Sequence, residues 1–184
     1  DLRNCAGGSV EAATKIAGLF LPKGTTVTSY SGRSAELAPT TKFVTENEKP
    51  DAELPLTVLI NGGTADAGEI LAGALHEHKR AATVGSNTFG RAIVQELILL
   101  NASELEEDGK QAALLLTVAR YRGPVSEVEY YDRGVEADTK LEPHLFESWI
   151  YDQFEDLRDG AAVKGFIDTL AGEGDEAAAL REVV

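Results

Sequence analysis

The groups able to do chemistry gather around one stretch, residues 56–95, which reads LTVLINGGTADAGEILAGALHEHKRAATVGSNTFGRAIVQ. An apolar, β-rich run from Leu56 to Ile60 closes on Asn61-Gly62-Gly63, and a helical pattern follows. A strand, sharp turn and helix in that order present the turn residues at a helix N-terminus, where backbone N–H groups are free. Nucleophiles and oxyanion holes are commonly built at such turns. Other reactive side chains are scattered. His76 and His78 stand two apart on the predicted helix, so they face different ways and are poorly placed to chelate one metal. His144 is isolated, and all three histidines are expected to be solvated. Cys5 has no histidine placed for a thiolate dyad, so an inert thiol is expected. The sequence leads us to expect no metal site and no cofactor.

These groups need a scaffold, and the pattern supplies an α/β one. On the predicted helix, Ile70, Leu71, Ala74 and Leu75 share a face. A short strand near 82–84, a loop of Gly, Ser, Asn and Thr, and a strand over 92–100 come next. Upstream, Gly7 and Gly8 permit close backbone approach before a helix over 10–21, with Ser9 as N-cap and Pro22-Lys23-Gly24 as its stop. A β-branched strand is predicted over 25–30, then a turn, then a polar hairpin or excursion over 33–53 punctuated by Pro39 and Pro50. An acidic turn over 101–110 carries the hairpin signal Asp108-Gly109, and an apolar return strand is predicted over 112–121. Amphipathic helices are expected over 145–157 and 161–170, ahead of an Ala/Glu tail that frays. There Trp149, Tyr151 and Phe154 are expected to pack on the sheet, the alternative being a stripe that docks a partner.

Composition narrows the function classes. The 184 residues suffice for one domain with a real core, and their net charge of -14 argues against nucleic-acid binding, which wants a basic face. No uncharged apolar stretch approaches the roughly 18–20 residues of a membrane-spanning helix. The single cysteine excludes an internal disulfide. No signal peptide is visible, and with no methionine present Asp1 is not expected to be the translational start.

The phrase GGTADAGEILAGALHEHKRAATVGSNTFGRAIVQ resembles the core of the C-terminal processing peptidases, or tail-specific proteases. DLRNCAGG at residues 1–8 resembles that family's D-L-R-x-N-x-G-G, and LTVARY and DRGVEAD further on resemble its later motifs. The likeness runs to about Asp138. It implies a ClpP/crotonase-like fold, a Ser/Lys-dyad peptidase core over 1–140 and a separate extension over 141–184. It also implies that Asp66 stands at the nucleophile position and Arg91 at the general-base position, at the family's separation. Gln95 takes the place of a glutamine that assists the lysine, and Glu69 that of the acid after the nucleophile. By the same resemblance the backbone near Gly7, Gly8 and Ala67 forms the oxyanion hole. Cys5 and Ala6 depart from the family's usual Asn and Pro.

The frame is therefore kept while both chemical groups are changed. Aspartate offers no hydroxyl to deprotonate, and arginine stays charged because its pKa exceeds about 12. An Asp–Arg pair is expected to form a bidentate bridge in place of the dyad. The resemblance then points to a catalytically inactive homologue acting as a structural or peptide-binding subunit. The alternatives are a peptidase still cleaving C-terminal tails, or a crotonase-like enzyme with Asp66 as a carboxylate base. Glu69 is expected to be an ordinary first-turn acid favoured by the helix dipole rather than an orienting group. Family members carry a PDZ domain and a further strand–helix–strand stretch before the DLR motif. The core is thus expected to be incomplete on its N-terminal side, with a partner segment in the same chain or another. Active members work in the bacterial periplasm or the thylakoid lumen, which makes these the expected compartments.

Overall fold

The computed structural model describes residues 1–99 and 113–141. The predicted turn over 101–110, the two C-terminal helices, their aromatic residues and His144 lie outside the described residues. Within them the architecture is mixed α/β, with two helices and two sheets.

Helix α1 covers Val10–Ala17, and Ser9 caps it as predicted, its extended backbone letting Oγ accept from Ala12 N–H at 3.2 Å. The helix stops short of residue 21. Leu19 and Phe20 bond back only three residues, to Ile16 and Ala17, so the chain tightens into a turn after Gly18. Strand β1, Thr26–Tyr30, then pairs antiparallel with β2, Thr41–Val44, which is the ordered part of the predicted excursion. On its other side β1 meets β6, Ala113–Arg122, which pairs with β5, Ile93–Leu99, giving the order β2-β1-β6-β5. Tyr30, Phe43 and Tyr121 join the three neighbouring strands β1, β2 and β6. The rings of Tyr30 and Tyr121 meet edge to face with centroids 5.4 Å apart.

The second sheet is parallel: β3, Thr57–Ile60, pairs with β4, Ala82–Gly85, and β4 with the short β7, Thr139–Lys140. A parallel pair needs a crossover, and α2, Ala67–Glu77, supplies it. The helix is buried on more than the predicted face, since every residue from Ala67 to Leu75 is inside. Ile70, Ile60 and Val27 are fully enclosed, so the core lies between α2, α1 and the two sheets. Gly85 shows how close β3 and β4 come at their ends. Its φ is 129°, and a Cβ there would sit 2.0 Å from the carbonyl oxygen of Ile60. Along the open edge of β3, Leu2 N–H donates to Leu59 O at 2.9 Å and the buried Thr64 hydroxyl donates to Leu2 O at 2.7 Å. That is how the DLR segment reaches the turn after β3.

Candidate active site

The turn joining β3 to α2 is braced on both sides. Asn61 Oδ1 accepts from the N–H groups of Gly63 (3.0 Å) and Asn4 (2.9 Å), and Ala65 N–H donates to Cys5 O at 2.8 Å. The chain then enters the helix through Asp66 at φ 48°, ψ -116°. A side-chain-bearing residue avoids this region, and holding it there costs on the order of 1–3 kcal/mol. The same conformation throws the side chain out of the turn, as a strand-to-helix elbow does.

Glu69 does not behave as an ordinary first-turn acid. Its side chain is fully buried, and both oxygens are filled by donors. Oε1 accepts from the Thr88 hydroxyl at 2.6 Å and Gly90 N–H at 2.5 Å. Oε2 accepts from Asp66 N–H at 3.1 Å and Arg91 N–H at 2.8 Å. Thr88 Oγ1 itself accepts from Val135 N–H at 2.7 Å, so its own proton is free to point at the carboxylate. A buried carboxylate needs such a shell of donors. The reading from the helix dipole missed it because three of the four donors come from residues 88–91, distant in sequence.

Asp66 and Arg91 do meet. Arg91 Nε (3.1 Å) and Nη2 (2.8 Å) both donate to Asp66 Oδ2, and Nη2 also donates to Ala6 O at 2.7 Å. The expected two-oxygen fork is thus replaced by two donors on one oxygen, because Arg91 also reaches across to the 5–8 segment. Gly7 lies against the pair, its Cβ position 3.5 Å from Asp66 Oδ2, and that of Gly8 lies 3.8 Å from the Cβ of Ala67. Among the described residues the N–H groups of Gly7, Gly8 and Ala67 donate no hydrogen bond. Gln95 stands apart. It is exposed on β5 opposite Thr117 and makes no hydrogen bond to Asp66 or Arg91. Phe89 was not singled out by sequence, yet its ring is exposed and lies 5.7 Å from the Arg91 guanidinium carbon, while its backbone is pinned to Thr64 O.

His76 and His78 are half-buried and engaged rather than solvated. His76 Nε2 lies 3.0 Å from Asp138 Oδ1, and His78 Nε2 lies 2.7 Å from Thr26 O, so the two do face apart. Thr83 N–H, donating to Asp138 Oδ2 at 2.8 Å, is the largest influence holding the Asp138 carboxyl below its usual range, and His76 and the Thr83 hydroxyl add to it. Cys5 is a free, half-buried thiol whose sulfur lies 3.7 Å from Gly7 O. Among the described residues no group of His, Cys, Asp and Glu is arranged to hold a metal ion, and no helix is long and apolar enough to cross a membrane.

Chemically, the pair supplies neither a hydroxyl nucleophile nor a neutral base. A guanidinium is not the neutral amine that such a base requires, and a carboxylate carries no hydroxyl to activate. With its two donors on Asp66 and its third contact on Ala6, the guanidinium cross-links three segments that are far apart in sequence.

Residues 1–141 match the model of Peptidase family S41. A carboxyl-terminal-processing protease of Synechocystis sp. is 38% identical over 145 residues, covering 79% of this chain and 31% of its own length. The chloroplastic carboxyl-terminal-processing peptidase 1 of Arabidopsis thaliana is 35% identical over 143 residues, covering 78% and 27%. Among solved structures, the photosystem II D1 C-terminal processing protease superposes with a TM-score of 0.65 at 31% identity, over 78% of this chain and 34% of that one. The chain thus spans only about a third of the length of these relatives.

Proposed function

The chain belongs to peptidase family S41, and on that premise we propose that it is a catalytically silent member whose reaction site has become a structural and peptide-binding element of a larger assembly. We take its core, residues 1–140, to be ClpP/crotonase-like, with Asp66 at the nucleophile position and Arg91 at the base position. One observation carries the reading. Arg91 is committed to Asp66 Oδ2 and Ala6 O at once, a contact that ties the elbow to the 5–8 segment and puts an ion pair where a Ser/Lys dyad would need a hydroxyl and a neutral amine. Acyl transfer by a Ser/Lys dyad needs a proton acceptor beside a weakly acidic nucleophile, and here a guanidinium faces a carboxylate. The same commitment speaks against Asp66 as a general base, since protonating it would break the ion pair.

The ligand is a peptide or the C-terminal tail of a protein. The unengaged N–H groups of Gly7, Gly8 and Ala67 offer main-chain donors to an extended peptide, and exposed Phe89 offers an apolar face beside them. Partners are further protein, in the same chain or another, since the relatives are about three times longer. The thylakoid lumen or the bacterial periplasm is the compartment we propose, because one relative is named as chloroplastic and another is bacterial.

Turnover of an unfolded C-terminal tail peptide tests this, measured for the protein as it is and for Asp66→Ser with Arg91→Lys. The unaltered protein is expected to be silent and the double variant to cleave. Cleavage by the unaltered protein that is lost in Asp66→Ala would overturn the reading and make Asp66 a working group. Silence from both would remove the competent frame and leave a purely structural role.

A further inference from the structure

Glu69 is a buried titratable group that the proposed role does not use, and its contacts converge on one point. Oε2 alone accepts the backbone N–H groups of both members of the ion pair, Asp66 at 3.1 Å and Arg91 at 2.8 Å. Those residues lie on different elements, the elbow before α2 and the loop before β5, and no backbone hydrogen bond joins them directly. Oε1 then holds Gly90 N–H and the Thr88 hydroxyl, so the loop carrying Arg91 is gripped at three points, residues 88, 90 and 91. The far side of that loop is closed by Phe89 N–H on Thr64 O, Thr88 N–H on Val135 O and Asp132 N–H on Gly90 O.

We propose that Glu69 is the positioning residue of this site: its carboxylate sets the separation and orientation of residues 66 and 91, whatever side chains those positions carry. The Asp66–Arg91 contact forms because the two backbones are already placed, and it does not itself place them. Two features support this order. The ion pair is partly open to solvent, with side-chain exposures of 31% for Asp66 and 46% for Arg91, whereas Glu69 has none. Arg91 also spreads its donors over two acceptors, as a side chain does when adapting to a fixed frame. The inference concerns the frame alone and stands whether or not a tail peptide is cleaved.

Glu69→Gln is the informative change, because the amide nitrogen must then face two donors at one end of the group. The readout is the NMR hydrogen-exchange rate of the Arg91 Nε–H in the full chain, with Ile70→Ala as a destabilised control on the same turn of α2. Glu69→Gln is expected to speed that exchange by roughly tenfold or more, the equilibrium factor for losing one charge-assisted hydrogen bond. Ile70→Ala is expected to leave it unchanged despite a lower melting temperature. An unchanged rate in Glu69→Gln overturns the proposal, and so does an equal rise in both variants, which would mean that exchange follows global stability. Should Glu69→Gln fail to fold, Thr88→Val removes one donor from Oε1 and is read the same way. A rise of about threefold is expected for it, and no rise overturns the proposal.

Discussion

Asp66 carries two opposing contributions that two substitutions separate. Its backbone sits at φ 48°, ψ -116°, a region open to glycine and costing about 1–3 kcal/mol for other residues. Its side chain makes an ion pair open enough to solvent that about 1 kcal/mol or less is a fair value. Asp66→Ala deletes the pair and keeps the strain, so it is expected to destabilise by about 1 kcal/mol. Asp66→Gly deletes the same pair but releases the strain, against about 0.5–1 kcal/mol of extra entropy lost on folding. The glycine variant is therefore expected to be the more stable of the two by about 0.5–2 kcal/mol, near the unaltered protein. Urea unfolding at equilibrium measures the difference directly. In a chain of this size each kcal/mol moves the melting temperature by about 2–4 °C, so a thermal scan resolves it too. An alanine variant as stable as the glycine variant would refute the reasoning, because the elbow would then hold no strain.

Two further outcomes follow from single contacts. Gly85→Ala places a methyl group 2.0 Å from Ile60 O at a φ of 129°. It is expected to cost about 2–5 kcal/mol in denaturant unfolding, from overpacking and backbone strain together; an unchanged midpoint would mean that β3 and β4 separate freely there. Asp138, its pKa depressed first by the Thr83 N–H, contributes stability that is present above the ordinary carboxylate value of 3.8 and lost as pH falls through its lower folded value. Asp138→Asn is accordingly expected to flatten the acid limb of stability below pH 3.8, and identical slopes for the two proteins there would count against the Thr83 and His76 contacts.

Much of the site was legible because its signals are local. Ser9 stands immediately before the first periodic residue of α1, and Asn61-Gly62-Gly63 closes a strand, so the cap and the turn could be placed from neighbours alone. The contact of Asp66 with Arg91 was reachable only through resemblance, since no local rule links an elbow to a loop beyond the next strand. The role of Glu69 was misjudged for the same reason. An acid in a first turn has a sufficient local explanation in the helix dipole, and its burial depends on Thr88, Gly90 and Arg91 folding back over it. Gln95 failed in the opposite direction: a familiar neighbour in sequence is exposed on β5 and takes no part in the pair. The end of α1 was overrun because apolar periodicity continues through Phe20 and Leu21, while the backbone has already changed its bonding at Leu19.

Asp66 and Arg91 make physical sense only together. A carboxylate at residue 66 stands one turn from the buried carboxylate of Glu69, in a part of the molecule already rich in acceptors. Without a cation it would be repelled there and would lie unneutralised against Gly7. Arginine at 91 supplies that cation, and its Nη2 donates to Asp66 and Ala6 at once while Nε adds a second donor to Asp66. Conversely, arginine beside a serine would keep only the Ala6 carbonyl and leave its charge without a counter-ion. Each residue thus removes the penalty that the other creates, and the backbone that holds both is fixed by Glu69 rather than by either of them. A frame of that kind holds a carboxylate and a guanidinium in contact at residues 66 and 91 without relying on either side chain for its own shape.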